Sequence, residues 1–520
     1  MPHRPAPPST EEPAFGLIAD CIAGRAAATP NALAIIGEDV VLDFGALDAL
    51  AERAASAFQR DGLLPGQRIG FCAANSAVHA AVMLGALKAG LVLCPLAVGW
   101  PAQATRRMLE DCGAALLFVD AAGAERAPSR PRCVCLDDCA GGEPLSAWLA
   151  APGASRRPAP IDAQAPFNIA YSSGTTGRPK GIVQSHAIRW RQLQQVRSWG
   201  PGAVVMVATP FWANATLSGP LFPALAQGAT LVVSRKFDTA RFIEFAERHR
   251  ATHTVLVPVQ LRQLLEHPGL DRHDLSSLRL TLVTGAPFPV PLKRRALARW
   301  PGALVELYAL SEGGAGARLD LSARPDKLHT VGRPIPGADI RLIDDSGREV
   351  SQGEVGEIVG CSPVMMTGYH NAPEQTAAAE WRDSSGARFI RTGDLGRFDD
   401  EGFLSIVGRK KDMIISGGVN VYPSDIEQVL TENPAVAEAA VVGAPSERWG
   451  ETPVAFVVAS GKAGEGFGPQ LLDWTNARVA KTQRLRAVRV VKALPRNAMG
   501  KVLKRDLRRR CVGFDVGPGP

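Results

Sequence analysis

The sequence is poor in cysteine, in aromatic residues and in long hydrophobic runs. Nine cysteines among 520 residues are few, and no C-x-x-C pair repeats at zinc-site spacing. Neither a disulfide framework nor a zinc module is therefore expected. No run of about 18 apolar residues lacks a charge or a proline or glycine break, so no membrane span is expected either. The sequence predicts a reduced, cytoplasmic protein.

The first residues lack the apolar run of a secretory signal. Met1–Pro13 holds five prolines and two glutamates, which predicts a disordered tail over residues 1–24. The rest of the chain has an ordinary globular composition, with 46% hydrophobic and 21% charged residues. Its length corresponds to two to four domains.

Acidic residues are scarce near the C-terminus. From Arg409 onwards there are 18 Lys and Arg against 11 Asp and Glu, whereas the preceding residues hold 40 of each sign. Arg478–Arg510 alone carries 13 basic residues and a single acid, Asp506. A nucleic-acid site is not expected, because no aromatic residues interleave these charges and no recognition motif is present. The segment is either a solvated basic face or a contact for a small molecule rich in phosphate.

Short apolar strands alternate with helices along most of the chain. Ala46–Arg60 has helical spacing, Arg68–Cys72 is a strand, and similar pairs recur as far as Leu278–Val283. This alternation predicts an α/β fold, with stacked βαβ sheets buried on both faces. From Asp339 the pattern changes to strands joined by Gly and Asp turns, which predicts a small β subdomain. The region after Arg409 predicts a small α+β domain that includes a helix at Leu471–Ala480.

One loop has the composition of a phosphate site. Tyr171–Gly181 reads YSSGTTGRPKG, follows an apolar stretch and precedes a predicted helix. Its hydroxyls, its flexible glycines and Lys180 could surround an anion. It is not a Walker A loop, because Pro179 stands where glycine is needed and Gly181 follows the lysine. The sequence therefore does not predict a P-loop NTPase, and a plain surface loop remains the alternative.

Four further motifs follow in order. They are YALSE (Tyr308–Glu312), RTGDLG (Arg391–Gly396), GRKKDMIISGGVNVYPSDIE (Gly408–Glu427) and PRNAMGK (Pro495–Lys501). Together with the loop they resemble the signature motifs of the adenylate-forming superfamily, in its acyl-CoA synthetase branch. The resemblance covers roughly residues 25–510. It implies an N-terminal domain over 25–408, a hinge at 409–411, a mobile C-terminal lid domain over 412–512 and a flexible tail over 513–520.

The resemblance implies an ATP-dependent acid–CoA ligase with two half-reactions. A carboxylate attacks the α-phosphorus of ATP to give acyl-AMP and pyrophosphate, and a thiol then attacks the acyl carbon and releases AMP. The implied cofactors are ATP, Mg²⁺ and CoA as co-substrate. The implied partners are a small carboxylic acid and, as an alternative thiol donor, a carrier protein. A homodimer is compatible with the sequence, which names neither the acid nor the pathway.

Each motif carries implied roles. Lys501 would bridge the carboxylate and the α-phosphate, Glu312 would bind Mg²⁺, and Lys180 would hold phosphates. The residues implied to bind ATP or AMP are Ser172, Ser173, Gly174, Thr175, Thr176, Gly177, Gly285, Ala286, Pro287, Tyr308, Ser311, Asp394 and Arg409. Lys411 would be the hinge, and Gly417 and Gly418 would line the pantetheine channel.

The sequence departs from the family pattern in the segment PFWANAT, Pro210–Thr216. Many relatives carry an aromatic residue followed by His, whereas here Trp212 is followed by Ala213. The segment also lacks the Asp with which peptide-synthetase domains bind an α-ammonium group, so an α-amino acid is not the expected substrate. Trp212, Ala213 and Asn214 are implied to line the acid pocket. A helix cap is the favoured interpretation for Asn214, and contact with an aryl acid is the alternative.

Three functions compete at this stage. An acid–CoA ligase is the leading hypothesis, and a free-standing enzyme that loads a carrier protein is the first alternative. A nucleotide-binding pseudoenzyme is the second, but the presence of Lys180, Glu312, Asp394, Arg409 and Lys501 argues against it.

Overall fold

The computed structural model describes residues 14–128, 131–137, 139–172, 180–195, 199–416, 419–446, 449–497 and 500–511. Within them the strands in chain order are β1 (Leu33–Gly37), β2 (Val41–Asp43), β3 (Arg68–Cys72), β4 (Val92–Pro95), β5 (Leu116–Val119), β6 (Cys133–Cys135), β7 (Glu143–Pro144), β8 (Pro166–Ser172), β9 (Lys180–Ser185), β10 (Val204–Val207), β11 (Thr230–Val233), β12 (His253–Leu256), β13 (Leu280–Thr284), β14 (Ala303–Ala309), β15 (Gly316–Asp320), β16 (Arg333–Pro334), β17 (Asp339–Ile343), β18 (Gly356–Cys361), β19 (Gly368–Tyr369), β20 (Glu380–Arg382), β21 (Arg388–Phe398), β22 (Leu404–Arg409), β23 (Ile414–Ser416), β24 (Val419–Val421), β25 (Val436–Ser446), β26 (Gly450–Ala459) and β27 (Ala487–Val490).

The helices of the same residues alternate with these strands. They are α1 (Ile18–Ala28), α2 (Phe44–Arg60), α3 (Ala77–Lys88), α4 (Ala102–Cys112), α5 (Ala121–Ala124), α6 (Leu145–Trp148), α7 (His186–Gln195), α8 (Asn214–Thr216), α9 (Phe222–Gln227), α10 (Thr239–Arg248), α11 (Pro258–Glu266), α12 (Val290–Arg299), α13 (Pro373–Ala378), α14 (Pro423–Glu432), α15 (Phe467–Asn476) and α16 (Lys504–Arg509). A π-helix spans Leu217–Leu221, and a 3₁₀ turn spans Lys410–Asp412.

The strands form four sheets in the described part of the chain. The first has the order β16-β15-β14-β13-β12-β10-β11-β1-β2, and the second the order β19-β9-β8-β4-β3-β5-β6-β7. The strands from β1 through β11, β10, β12 and β13 to β14 are parallel, as is the run from β8 through β4, β3, β5 and β6 to β7. The predicted stacked βαβ architecture is confirmed.

Parallel strands have nearly continuous apolar sequences because helices cover both faces. All four residues of β5 and of β12 are buried. Helices α2 and α3 pack together in the largest core, and buried Lys88 of α3 is paired with Asp48 at 2.5 Å and Glu52 at 2.6 Å. This pairing satisfies a cation that would otherwise be costly to bury.

Two smaller sheets follow. The third has the order β17-β18-β21-β20, with β22 beside β21, and the fourth has the order β24-β23-β26-β25, with β27 beside β26. The predicted β-rich region from Asp339 corresponds to the third sheet. The fourth sheet has its own apolar core with α14 and α15. No helix of the described residues is long and apolar enough to cross a membrane.

Cysteine chemistry differs from the expectation at one pair. Cys135 and Cys139 form a disulfide, with their Cα atoms 5.7 Å apart. The expectation of a wholly reduced chain is therefore wrong at this pair. The bridge joins two cysteines only four positions apart at the end of β6, so it is not the framework that the sequence argued against.

Candidate active site

The phosphate loop joins β8 to β9 in an antiparallel pair, in which Ser172 lies opposite Lys180. Ser173, Gly174, Thr175, Thr176 and Gly177 lie outside the described residues, as does the side chain of Ser172. Lys180 is described, and its ammonium nitrogen lies 4.8 Å from the centre of the Tyr369 ring. This contact is a cation–π interaction, which positions the lysine at the base of the loop.

Glu312 accepts a hydrogen bond from the hydroxyl of the same tyrosine. The hydroxyl of Tyr369 donates to Oε1 of Glu312 at 2.9 Å, and the backbone oxygen of Glu312 accepts from Met366 at 2.8 Å. Burial and the charge of Glu312 raise the pKa of Tyr369, so the phenol remains a donor at neutral pH. The sequence analysis did not predict a role for Tyr369, although Tyr369 directly follows Gly368 in the sequence.

The described residues contain no group of three or more His, Cys, Asp or Glu able to hold a metal by themselves. Magnesium usually takes one or two carboxylates and completes its shell with water and phosphate oxygens. Glu312 fits this pattern as a single carboxylate, provided that a nucleotide supplies the remaining oxygens. When bound, the ion would neutralise charge on the phosphates.

Asp394 is almost fully buried, with 5% of its surface exposed. Its Oδ2 accepts from the Tyr308 hydroxyl at 2.8 Å, and its Oδ1 is 2.6 Å from Nε of Arg409. The pairing follows from the sheet, because Asp394 of β21 lies opposite Arg409 of β22. Each carboxylate oxygen retains a second lone pair, so both can still accept from a ribose hydroxyl.

Tyr308 occupies the end of β14 beside the segment that follows β13. Burial and the neighbouring Asp394 raise the pKa of its phenol. Gly285 and Pro287 are exposed just after β13, and Ala286 is half-buried. Strands β13 and β14 are parallel neighbours, so this segment and Tyr308 lie at one sheet edge. Ligands of open α/β sheets commonly bind at such carboxyl ends.

Ser311 lies one residue before Glu312 and is held through its backbone. Its carbonyl oxygen accepts from the side-chain amide of Gln184 at 2.7 Å. Gln184 belongs to β9 and is buried. The predicted nucleotide residues Tyr308, Ser311, Glu312 and Asp394 are therefore linked to the two large sheets by short polar contacts.

Lys501 is brought to this site from the far end of the sequence. Lys501 is exposed at the protein surface. The protein around its ammonium group nevertheless displaces part of the surrounding water. This burial, with Arg409 and Lys411, outweighs the opposing Asp394 and Asp412 and lowers the pKa of Lys501 to about 8. The backbone of Lys501 is fixed by Asn497, whose Oδ1 accepts the Lys501 N–H at 2.9 Å.

Lys411 lies in the 3₁₀ turn Lys410–Asp412, which separates the third and fourth sheets. Its carbonyl oxygen accepts from Arg508 at 3.4 Å, and Arg508 forms an ion pair with Asp412 at 3.0 Å. Burial, with the nearby cations Arg409 and Arg508, lowers the pKa of Lys411. The hinge role of Lys411 remains a prediction, and Gly417 and Gly418 lie outside the described residues.

The fourth sheet contacts helix α11 through an ion-pair network. Glu438 of β25 forms ion pairs with Arg262 of α11 and, at 2.7 Å, with Arg496. Nearby, a Cβ added to Gly500 would lie 2.6 Å from Cγ1 of Val259 in α11. These contacts hold Arg496 and Gly500 beside α11, with Lys501 near the Asp394–Arg409 pair.

The predicted acid-pocket segment follows β10. Trp212 is half-buried, with its ring centre 6.5 Å from that of Trp100, and Ala213 is buried. Asn214 is the first residue of α8, and its preceding cap residue Ala213 makes no side-chain cap bond. Instead, Oδ1 of Asn214 accepts from Arg189 at 2.7 Å. The capping interpretation of Asn214 is therefore wrong. Asn214 lies within α8, and its side-chain oxygen accepts a hydrogen bond from the buried Arg189.

Two family models match this chain. The model described as AMP-binding enzyme matches residues 22–370, and the model described as AMP-binding enzyme C-terminal domain matches residues 425–501. The chain belongs to the AMP-binding enzyme family. The superfamily recognised from the motifs is confirmed, and enzymes of this family use ATP and CoA as substrates.

The relatives of this AMP-binding enzyme include several acid–thiol ligases. The indoleacetate–CoA ligase of Aromatoleum aromaticum is 33% identical over 515 residues, covering 94% of this chain and 97% of the relative. The fatty acid–[acyl-carrier-protein] ligase ScoC of Streptomyces coeruleorubidus is 32% identical over 507 residues, covering 93% and 94%. The feruloyl-CoA synthase of an Amycolatopsis species is 32% identical over 491 residues, covering 94% and 97%.

Solved structures agree with this assignment. The amide bond synthetase McbA from Marinactinospora thermotolerans has a TM-score of 0.82 at 30% identity, covering 95% of this chain and 99% of that one. ATP-bound MatB from Rhodopseudomonas palustris has a TM-score of 0.83 at 29% identity, covering 95% and 98%. The AMP-binding enzyme described here is thus a ligase of the acyl-CoA synthetase branch.

Proposed function

We propose that this enzyme activates a small carboxylic acid with ATP and transfers the acyl group to the thiol of CoA. The observation that carries the proposal is the position of Lys501 beside the Asp394–Arg409 pair. A cation that follows the fourth sheet in the chain and a proposed ribose-binding pair from the third sheet lie close together. This arrangement supports the first half-reaction, in which both ends of the chain must reach the same nucleotide.

In the first step a carboxylate oxygen of the acid attacks the α-phosphorus of ATP. The new P–O bond forms as the bond to the β-phosphate bridging oxygen breaks, and pyrophosphate leaves with that electron pair. Lys501 holds the two anions together and neutralises charge as it builds on the α-phosphoryl oxygens. Asp394 and Arg409 orient the ribose, and Lys180 neutralises the leaving phosphates.

In the second step the sulfur of CoA attacks the acyl carbon of acyl-AMP. The thiol releases its proton to solvent, the C–O bond to the phosphate breaks, and AMP leaves with that electron pair as the anion. Lys501 has no part in this step, so the C-terminal sheet can turn about the hinge at Lys411. The glycines at 417 and 418 are proposed to line the thiol channel.

Pyrophosphate release with a panel of acids, with and without CoA, tests the proposal. We expect acid-dependent pyrophosphate release and, with CoA present, a thioester together with AMP. A Lys501→Ala enzyme serves as the matched control for background ATP hydrolysis. If no acid in an aliphatic and aromatic panel stimulates pyrophosphate release, the proposed function is wrong.

A carrier-protein thiol is the second candidate acceptor. Similarity to the carrier-protein ligase ScoC favours it, since that relative matches nearly the whole chain. Both acceptors carry a phosphopantetheine thiol, which is attached to a nucleotide in CoA and to a protein in the carrier. Comparing CoA with a phosphopantetheine-loaded carrier protein in the same assay separates them, because only the true acceptor will increase AMP release.

A further inference from the structure

Arg189 of α7 is a buried cation surrounded by neutral groups. The residue is 1% exposed, and its guanidinium lies 5.6 Å from the centre of the Phe167 ring. Its Nε and Nη2 donate to Oδ1 of Asn168 at 3.0 and 2.7 Å, and its Nη1 donates to Gln192 at 2.8 Å. Nη2 also donates to Asn214 at 2.7 Å. All of these acceptors are uncharged amide oxygens.

No carboxylate of the described residues forms an ion pair with Arg189. Burial alone lowers its pKa to about 9, so the guanidinium is still charged at neutral pH. Removing a charge from water without a counter-ion is costly, and amide dipoles recover only part of this cost. The core at this point therefore contains a positive charge whose negative partner is missing from the described part of the chain.

Some hydrogen-bond donors of this cluster have no partner among the described residues. A guanidinium has five N–H groups, and the four bonds of Arg189 leave one on Nη1. The amide nitrogen of Asn168 is fully buried and has no partner in the described structure. Asn214 accepts from Arg189 through its oxygen, and its NH₂ group supplies further donors. A group that satisfied these donors would have to be an oxygen acceptor.

The location connects these donors to the proposed acid pocket. Asn214 directly follows Trp212 and Ala213, and the π-helix Leu217–Leu221 comes just after it. Single π-helical turns are frequently found at functional sites, because they displace side chains from the regular helical positions. On the other side, Gln184 is the strand partner of Asn168 and binds the carbonyl of Ser311. Paired residues of β8 and β9 therefore bond to Arg189 on one strand and to the carbonyl of Ser311 on the other.

We propose that Arg189, Asn168 and Asn214 form the polar inner end of the acid pocket, and that the acid carries a hydrogen-bond-accepting oxygen at the end remote from its reacting carboxylate. The inference rests on the proposed function, because it assumes that Trp212–Asn214 contacts the acid. A second carboxylate suits the site best, since it supplies the missing negative charge. A phenolic or carbonyl oxygen satisfies the same donors without the charge.

ATP–pyrophosphate exchange with matched acids tests this inference. The pairs differ only in the remote group: heptanoate against pimelate, and benzoate against para-hydroxybenzoate and terephthalate. We expect kcat/KM to favour the oxygen-bearing member of at least one pair by about 10- to 150-fold, the size of one hydrogen bond to a charged group. The preferred acid shows whether the site accepts a second carboxylate or a phenolic hydroxyl.

Arg189→Met should abolish this preference by lowering kcat/KM for the oxygen-bearing acid while leaving that for the plain acid largely intact. Arg191→Met is the matched control, because it removes the same charge two residues along α7 and should not alter the ratio. A wild-type ratio near one, or the same ratio in Arg189→Met, would overturn the inference.

Arg189→Met could fail to fold, which circular dichroism would reveal. Asn214→Leu then provides the test, since it leaves Arg189 bonded to Asn168 and Gln192 and removes only the side-chain amide of Asn214. Its ratio should fall several-fold, and an unchanged ratio contradicts the inference. Exchange with plain acids alone contradicts this inference but supports the proposed function, whereas exchange with no acid contradicts both.

Discussion

Tyr369 donates its phenolic hydrogen to Oε1 of Glu312 across 2.9 Å. The same ring lies under the ammonium group of Lys180. One aromatic side chain thus supports both the proposed metal ligand and the proposed phosphate-binding lysine. Its position on β19, which pairs with β9, brings the second sheet and the YALSE motif together.

Tyr369→Phe keeps the ring beneath Lys180 but removes the hydrogen bond to Glu312. A hydrogen bond to a charged group contributes about 1.5–3 kcal/mol, so we expect about a tenfold or greater rise in the Mg²⁺ concentration for half-maximal pyrophosphate release. Titration of Mg²⁺ at fixed ATP measures this. Glu312→Gln is the reference variant and should show a larger rise. A Tyr369→Phe enzyme with wild-type metal dependence would exclude the positioning role.

Lys501→Ala should separate the two half-reactions. Loss of one cation from the transition state costs about 3–4 kcal/mol, as for an oxyanion-hole donor, and this loss should fall on acyl-AMP formation. Thioester formation from supplied acyl-AMP should stay near the wild-type rate. Single-turnover assays of each half-reaction measure the effect. Equal losses in both would contradict the proposal that Lys501 leaves the site.

The lowered pKa of Lys501 predicts a pH dependence for acyl-AMP formation. In the proposed mechanism the protonated lysine is the active form, so kcat/KM for ATP should decline as the pH rises through about 8. Lys501→Arg keeps its charge over this range, so its profile should not decline there, whatever its absolute rate. A wild-type decline that persists unchanged in Lys501→Arg would assign the titration to another group.

Gly500 is needed where the C-terminal segment meets α11. Its φ of 76° is left-handed, and an added Cβ would lie 2.6 Å from Cγ1 of Val259. The backbone conformation alone costs alanine about 1–2 kcal/mol, so Gly500→Ala should slow acyl-AMP formation by about tenfold. Adding Val259→Ala should restore part of the rate by removing the steric contact. No rescue would show that the backbone conformation alone is responsible.

The basic segment Arg478–Arg510 is partly used in structural ion pairs. Arg496, Lys504 and Arg508 contact Glu438, Glu427 and Asp412, respectively, whereas Arg484 is exposed. We expect the KM for CoA to rise with salt, since the Debye length falls from about 10 Å at 0.1 M to about 3 Å at 1 M.

Charge reversal at Arg484 and Arg486 should raise the KM for CoA more than the KM for the acid. The KM for the acid, measured in the same variants, is the internal control. If the KM for CoA responds neither to salt nor to these reversals, the segment is only a solvated face.

The family and the order of its motifs could be predicted from the sequence because both depend on local patterns. Each motif is a short continuous segment: the glycine and hydroxyl residues around Lys180, the TGD segment at Asp394 and the final GK at Lys501. Hydrophobic periodicity predicted the strands of both large sheets. Helix ends were less well predicted. The helix expected at Leu471–Ala480 is Phe467–Asn476, since Gly466 adopts a left-handed conformation just before it.

Only the tertiary structure decided which distant side chains meet. Tyr369 and Glu312 are 57 positions apart, and Arg189 and Asn214 belong to different helices. No local pattern specifies such contacts, because they depend on how strands pair and which helix faces are covered. The sequence by itself determined the family, and its motif residues have the types that the proposed phosphate chemistry requires. Only packing placed the guanidinium of Arg189, which has no carboxylate partner among the described residues, beside Asn214. The sequence had assigned that segment to the acid pocket and had favoured a helix cap for Asn214.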